Sequence, residues 1–121
     1  MGMTEEASMM KNREIYVQAV LNLYIKMPGT TGRICPHDRA IIRQWFARQI
    51  PIPVLETALL LGSGRRLYRR PDALKLAPIR SIAYFNPVVE ELLAQPPPVA
   101  YIHYLRFKLG FTTSFSKDGP G

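Results

Sequence analysis

Prolines at positions 28, 36, 51, 53, 71, 78, 87 and 96–98 divide this 121-residue chain into pieces of helix length. Proline has no amide hydrogen to give to a sheet ladder, so central strands exclude it, whereas the first position of a helix tolerates it. Between the prolines, no stretch alternates apolar and polar residues at period two within turn signals. The chain is therefore expected to be all-α, a single compact bundle of about five helices. Residues 12–110 would form that bundle. Residues 1–11, polar and Met-rich, read as a flexible leader, and residues 111–121, small and polar, as a flexible tail.

Apolar spacing locates the helices. In REIYVQAVLNLYIKMPG, Tyr16, Val20, Leu23, Tyr24 and Met27 recur at helical period, Val17, Leu21 and Ile25 widen the stripe, and Pro28-Gly29 ends it. In PHDRAIIRQWFARQI, Pro36 opens the helix and Asp38 suits the positive end of its dipole. Ile41, Ile42, Trp45 and Phe46 form its apolar face, with Arg39, Arg43 and Gln44 largely opposite. PIPVLETALLLGSGRRLYRR is apolar nearly all round through Val54, Leu55, Ala58, Leu59, Leu60 and Leu61, which marks a central, buried helix. Gly62 and Gly64 each cost about 1 kcal/mol of helix propensity. They either break this helix or admit a close neighbour. In PIRSIAYFNPVVEELLAQ, Ile82, Phe85, Val89 and Leu92 mark one face, and Pro87 either kinks the helix or starts it. VAYIHYLRFKLG is a final short helix with Tyr101, Ile102, Leu105 and Leu109 inward.

Little in the chain promises catalysis. Cys35 is the single cysteine, so no intramolecular disulfide forms, and Cys35 with His37 supplies too few ligands for zinc. Glu90 and Glu91 are adjacent, which sets them about 100° apart on a helix, a solvated face rather than a carboxylate dyad. No phosphate loop, dinucleotide fingerprint or nucleophile elbow is present. The expectation is a protein that is not an enzyme, with no catalytic residue, metal site or cofactor. No apolar run approaches the roughly 20 residues that span a bilayer, and the N-terminus is not a signal peptide. A cytoplasmic protein without a membrane partner is expected.

The net charge is +7 and the isoelectric point about 9.9, a balance that attracts polyanions. The excess concentrates in GSGRRLYRRPDALKLAPIRS, where Arg65, Arg66, Arg69, Arg70, Lys75 and Arg80 face one acid, Asp72. Cations complement the negative end of a helix dipole. Like charges at i, i+4 repel, however, and the pairs Arg65/Arg69 and Arg66/Arg70 exceed what capping needs. Tyr68 among them could stack on a base. Arg39 and Arg43, with Arg48, form a second basic face. These residues are either a solvated helix end or a surface for nucleic acid, DNA or RNA, gripped through backbone phosphates without strong sequence preference. Sequence-specific groove reading through the third helix is not expected, because its first turns offer Glu56, Thr57 and then leucines. A rival reading rests on Tyr101, Tyr104, Phe107, Phe111 and Phe115, more aromatic surface than so short a helix can bury. It implies a protein partner or a homo-oligomer through that C-terminal surface.

DRAIIRQWFARQIPIPVLETAL followed by APIRSIAYFNPVVEELL resembles the C-terminal domain of DnaD-like primosome proteins. The resemblance rests on Ile42 and Trp45 on one helix, Ala58 on the next, a short basic loop, and Ser81, Tyr84 and Phe85 opening the following helix. It covers roughly residues 37–94. It implies an all-α domain that contacts DNA and replication or helicase-loading partners.

Overall fold

The computed structural model describes residues 2–67, 69 and 72–108. They form five α-helices, α1 (Gly2–Ile25), α2 (Pro36–Ala47), α3 (Ile52–Leu67), α4 (Asn86–Ala94) and α5 (Val99–Lys108), with a 3-10 turn over Ile82–Phe85 just before α4. Among the described residues there is no strand, only one isolated parallel bridge between Thr30 and Ile79. No described helix is long and apolar enough to cross a membrane. The all-α architecture expected from the prolines is the one observed.

α3 is the axis of the packing, touching α1, α4 and α5. Leu55, Ala58, Leu59, Leu60 and Leu61 are all buried, and Thr57 and Ser63 are buried with them. A helix clothed on so many sides is the central, buried one that its apolar residues implied. α2 packs on α1 and on the 3-10 turn. From α1, Tyr16, Val17, Val20, Leu21, Tyr24 and Met27 enter the core; from the last third of the chain come Ile82, Phe85, Val89 and Leu92. Each such large apolar side chain is worth roughly 1.5–3 kcal/mol on burial.

Both alternatives left open by the sequence are resolved by packing. α3 continues unbroken through Gly62-Ser63-Gly64. A Cβ on Gly62 would lie 2.7 Å from Cδ1 and 2.8 Å from Cε1 of Phe85, so the glycine admits that ring. Pro87 lies in the first turn of α4, where its missing amide leaves nothing unpaired. It starts a helix rather than kinking one.

Four expectations need correction. α1 begins at Gly2, not near residue 12, and runs through the segment read as a leader. Residues 7–12 project with every side chain exposed, so no apolar stripe betrays them. Ile25 is exposed rather than part of the α1 stripe, because that helix buries only the side toward α2 and α3. The third helix stops at Leu67, so Arg69 stands beyond its end. Tyr101 is exposed, since α5 rests on α3 through Leu105, which is buried. Leu109 and the tail from residue 111 lie outside the described residues.

α2 is fastened at both ends. At its start the fully buried Asp38 carboxylate accepts from the Cys35 amide at 2.8 Å, the Ser81 hydroxyl at 2.9 Å and the Ile82 amide at 2.9 Å. Ser81 Oγ in turn accepts from the Ala83 amide at 3.1 Å, capping the 3-10 turn. Asp38 was expected to serve the helix dipole alone; it also ties α2 to the start of the next element. Trp45 Nε1 donates to Asn86 Oδ1 at 3.1 Å, tying α2 to α4. At the far end the Gln49 amide reaches Phe46 O and the Ile50 amide reaches Trp45 O. This is the paired closure that usually employs glycine, yet Gln49 holds it at φ 60°.

Candidate nucleic-acid interface

The turn after α1 brings two distant loops together. Gly29, at φ 90°, presents its carbonyl to the Ile79 amide at 2.7 Å, and the Thr31 amide donates to Ile79 O at 3.0 Å. The backbone there has the left-handed conformation that favours glycine. Two cationic clefts are lined in part by residues next to the bridge in sequence. One, about 350 Å³, is lined by Arg66, Arg69 and Lys75 with Pro28 and Gly29. The other, about 470 Å³, is lined by Arg33 and Arg80 with Thr31, Ile34 and Cys35.

The predicted cations divide into those tied down and those left facing solvent. Arg66 is tied down. Its Nη2 donates to Ala77 O at 2.7 Å, and its guanidinium carbon sits 5.4 Å from the centre of the Tyr84 ring. A Cβ on Gly29 would come within 3.2 Å of its Nε. Arg66 thus clasps the loop before the 3-10 turn to the end of α1. Arg69 Nη1 donates to Leu74 O at 2.6 Å, holding the next loop in shape. Lys75 and Arg80 are exposed and form no ion pair among the described residues, and Arg33 joins them. Tyr68 and Arg70 lie outside the described residues.

Arg65 turns away from this group. It makes a two-pronged ion pair with Glu91 on α4, with Nη1 donating to Oε1 at 2.9 Å. The second basic face is also largely matched by acids. Arg43 stands 3.7 Å from Glu14, and Arg48 pairs with Glu90 through two hydrogen bonds. Arg39, half-buried on α2, forms no ion pair among the described residues. The structure therefore gathers Arg66, Arg69, Lys75 and Arg80 from the predicted set at the bridge. Arg65 and Arg43 lie elsewhere, Arg65 hydrogen-bonded to Glu91 and Arg43 at 3.7 Å from Glu14.

Sequence reasoning missed Arg33. A lone arginine in a loop gives no signal by itself; the nearby turn residues Gly29 and Gly32 were the clue that this loop folds back on another. Glu90 and Glu91 lie on the solvated face expected of them, each paired there with an arginine. Each carboxylate accepts hydrogen bonds from an arginine, which holds it below the usual carboxylate range. A depressed folded value means a contribution present above the unfolded value and lost as pH falls through the folded one. The acid limb of stability should therefore open below the ordinary glutamate value of about 4.3. Melting scans from pH 7 down to strong acid should show a shallower acid limb in Glu91→Gln, most clearly at low salt, because both pairs are exposed.

Two other titratable groups are set by burial. Tyr16 and Tyr24 are pushed up to about 12, chiefly by desolvation, with the charges of Asp38 and Cys35 adding to the shift at Tyr24. Tyr16 donates its hydroxyl to Ile50 O at 2.6 Å. Both therefore act as neutral core residues. Cys35 caps α2, its thiol directed at Asp38 Oδ1 from 3.6 Å. The residues behind the DnaD-like pattern have packing roles here: Ile42, Trp45, Ala58 and Phe85 are buried. No protein-family profile, no curated protein and no solved structure matches the chain.

Proposed function

We propose that this is a non-enzymatic protein that binds nucleic acid through backbone phosphates, without strong sequence preference, at the face built on the Thr30–Ile79 bridge. The observation that carries the reading is the pair of cationic clefts beside that bridge, holding Arg33, Arg66, Arg69, Lys75 and Arg80. Glu14, Glu90 and Glu91 stand against arginines elsewhere, Arg43, Arg48 and Arg65, and not against the cations of this face. Phosphates spaced along a strand suit cations spaced along a fixed backbone. The DnaD-like pattern over residues 37–94 points the same way and suggests a replication, mobile-element or ribonucleoprotein assembly in the cytoplasm.

Fluorescence anisotropy with labelled random-sequence DNA and RNA, single- and double-stranded, tests this over a salt series. Log affinity should fall linearly with log salt, by about 0.9 per neutralised phosphate on duplex DNA. Replacing Arg33 and Arg80 by Glu should weaken binding and reduce the slope by about two, since both are exposed and pair with no carboxylate among the described residues. An unchanged slope, or no binding at low salt, would sink the assignment.

A second reading has its own observation. Tyr101, Tyr104 and Phe107 on α5 are exposed, Phe107 at 75%. The two tyrosine rings stack 6.3 Å apart at 21°. Such a surface suits a protein partner or a second copy. Phe111 and Phe115 of the same expected surface lie outside the described residues. A dimer in sedimentation that persists at high salt and dissolves on Phe107→Asp would favour this reading.

A further inference from the structure

We propose that the groove between the N-terminal half of α1 and the C-terminal end of α2 is a docking site for an acidic amphipathic helix of a partner protein. It is remote from the bridged loops in its residues and does not depend on nucleic-acid binding. The cavity measures about 610 Å³.

Its floor is apolar. Tyr16 and Phe46 meet edge to face with ring centres 5.1 Å apart, and Ile50 lies beneath the Tyr16 hydroxyl bond. Its wall is Met9 and Met10, each 58% exposed on the stretch of α1 that projects past the core. Methionine is flexible and polarizable, and surfaces that receive partner helices use it repeatedly. Met9, Arg13 and Tyr16 stand at i, i+4 and i+7, so the groove follows α1 for two turns. The corner between two helices is a shape that a third helix fills, with anchors at i, i+3 or i+4, and i+7.

The rim gives the partner its sign. Arg13 rises from α1 and Arg43 from α2. One carboxylate, Glu14, serves both, at 3.9 Å and 3.7 Å, beyond hydrogen-bond reach. The Nε of each guanidinium is buried and has no hydrogen-bond acceptor among the described residues. Among the residues whose side chains are described, two partly exposed cations share this one acid, so the rim keeps positive charge. A partner with carboxylates beside its apolar anchors supplies what is missing. Gln49 closes the groove in its left-handed conformation, a strained choice at the rim where glycine would be relaxed.

The test uses two labelled peptides of about 18 residues, about five helical turns. Both carry leucines at i, i+3, i+4 and i+7; one has glutamates flanking them and the other lysines. Anisotropy should show the glutamate peptide binding about tenfold more tightly or better. The double variant Arg13→Glu/Arg43→Glu, its helical signal unchanged, should reverse that preference. Methyl resonances of Met9 and Met10 should shift during titration with the glutamate peptide. Equal binding of both peptides, or Met methyls that do not move, would overturn the proposal. A dimer that the double variant dissolves would give the groove to a second copy and overturn it as well.

Discussion

Asp38→Ala should lower the unfolding free energy by about 3–5 kcal/mol, because it removes the shared acceptor of three donors, one buried and two half-buried. The carboxylate is fully buried and accepts from Cys35, Ser81 and Ile82. Each buried donor left without an acceptor costs roughly 1–3 kcal/mol, partly recovered where water enters. Ser81 would also lose the partner that orients its hydroxyl over the 3-10 turn. Asp38→Asn keeps one acceptor oxygen but adds an amide group needing partners of its own, so an intermediate loss is expected. Urea denaturation at neutral pH reads both. The midpoint should fall while the dependence on urea stays constant. A loss below about 1 kcal/mol for the alanine variant would show that these segments are held by apolar packing alone.

Gly62→Val should destabilise the protein by about 3 kcal/mol or more, and Gly62→Ala by about 1–3 kcal/mol. Two effects oppose each other in the alanine variant. Alanine gains about 1 kcal/mol of helix propensity over glycine. Against that, the new Cβ would sit 2.7 Å from the Phe85 ring, which is fully buried and itself meets Tyr24 edge to face. An interior at crystal-like density has nowhere to send a ring in that position. Valine adds branches to the same clash and loses rotamer freedom in the helix. The decisive measurement is a double-mutant cycle with Phe85→Leu. The two substitutions should couple, the smaller side chain recovering about 1 kcal/mol or more of the Gly62→Ala loss. Strict additivity would mean that α3 and the 3-10 turn separate without strain.

How much of this was legible depended on whether the cause was local. α3 could be read directly, because Val54, Leu55, Ala58, Leu59, Leu60 and Leu61 place apolar side chains nearly all round one helix, which marks it as buried. The prolines marked the joints for the same reason: their effect is on their own backbone. The start of α1 was not legible, since a stretch whose side chains from residue 7 to 12 are exposed needs no apolar stripe, only residues of good propensity. The Asp38–Ser81 tie was hidden because it spans two elements whose contact only the packing determines. The same holds for the cations. Counting arginines in one segment placed Arg65 with its neighbours. Helix rotation instead delivers Arg65 to Glu91, and the turn at Gly29 brings Arg33 beside the bridge.

The Thr30–Ile79 bridge has a kinetic meaning as well. Its two strands of backbone stand at opposite ends of the stretch that contains α2 and α3. Joining them closes a long loop, and the entropy of that closure is recovered only once both helices have packed. The bridge is thus a late event in folding and an early one in opening, at the low end of the molecule's local stabilities. A strand of phosphates touching the cations beside it would act as a suture. It would slow the opening of the seam while leaving the helical core exchanging as before.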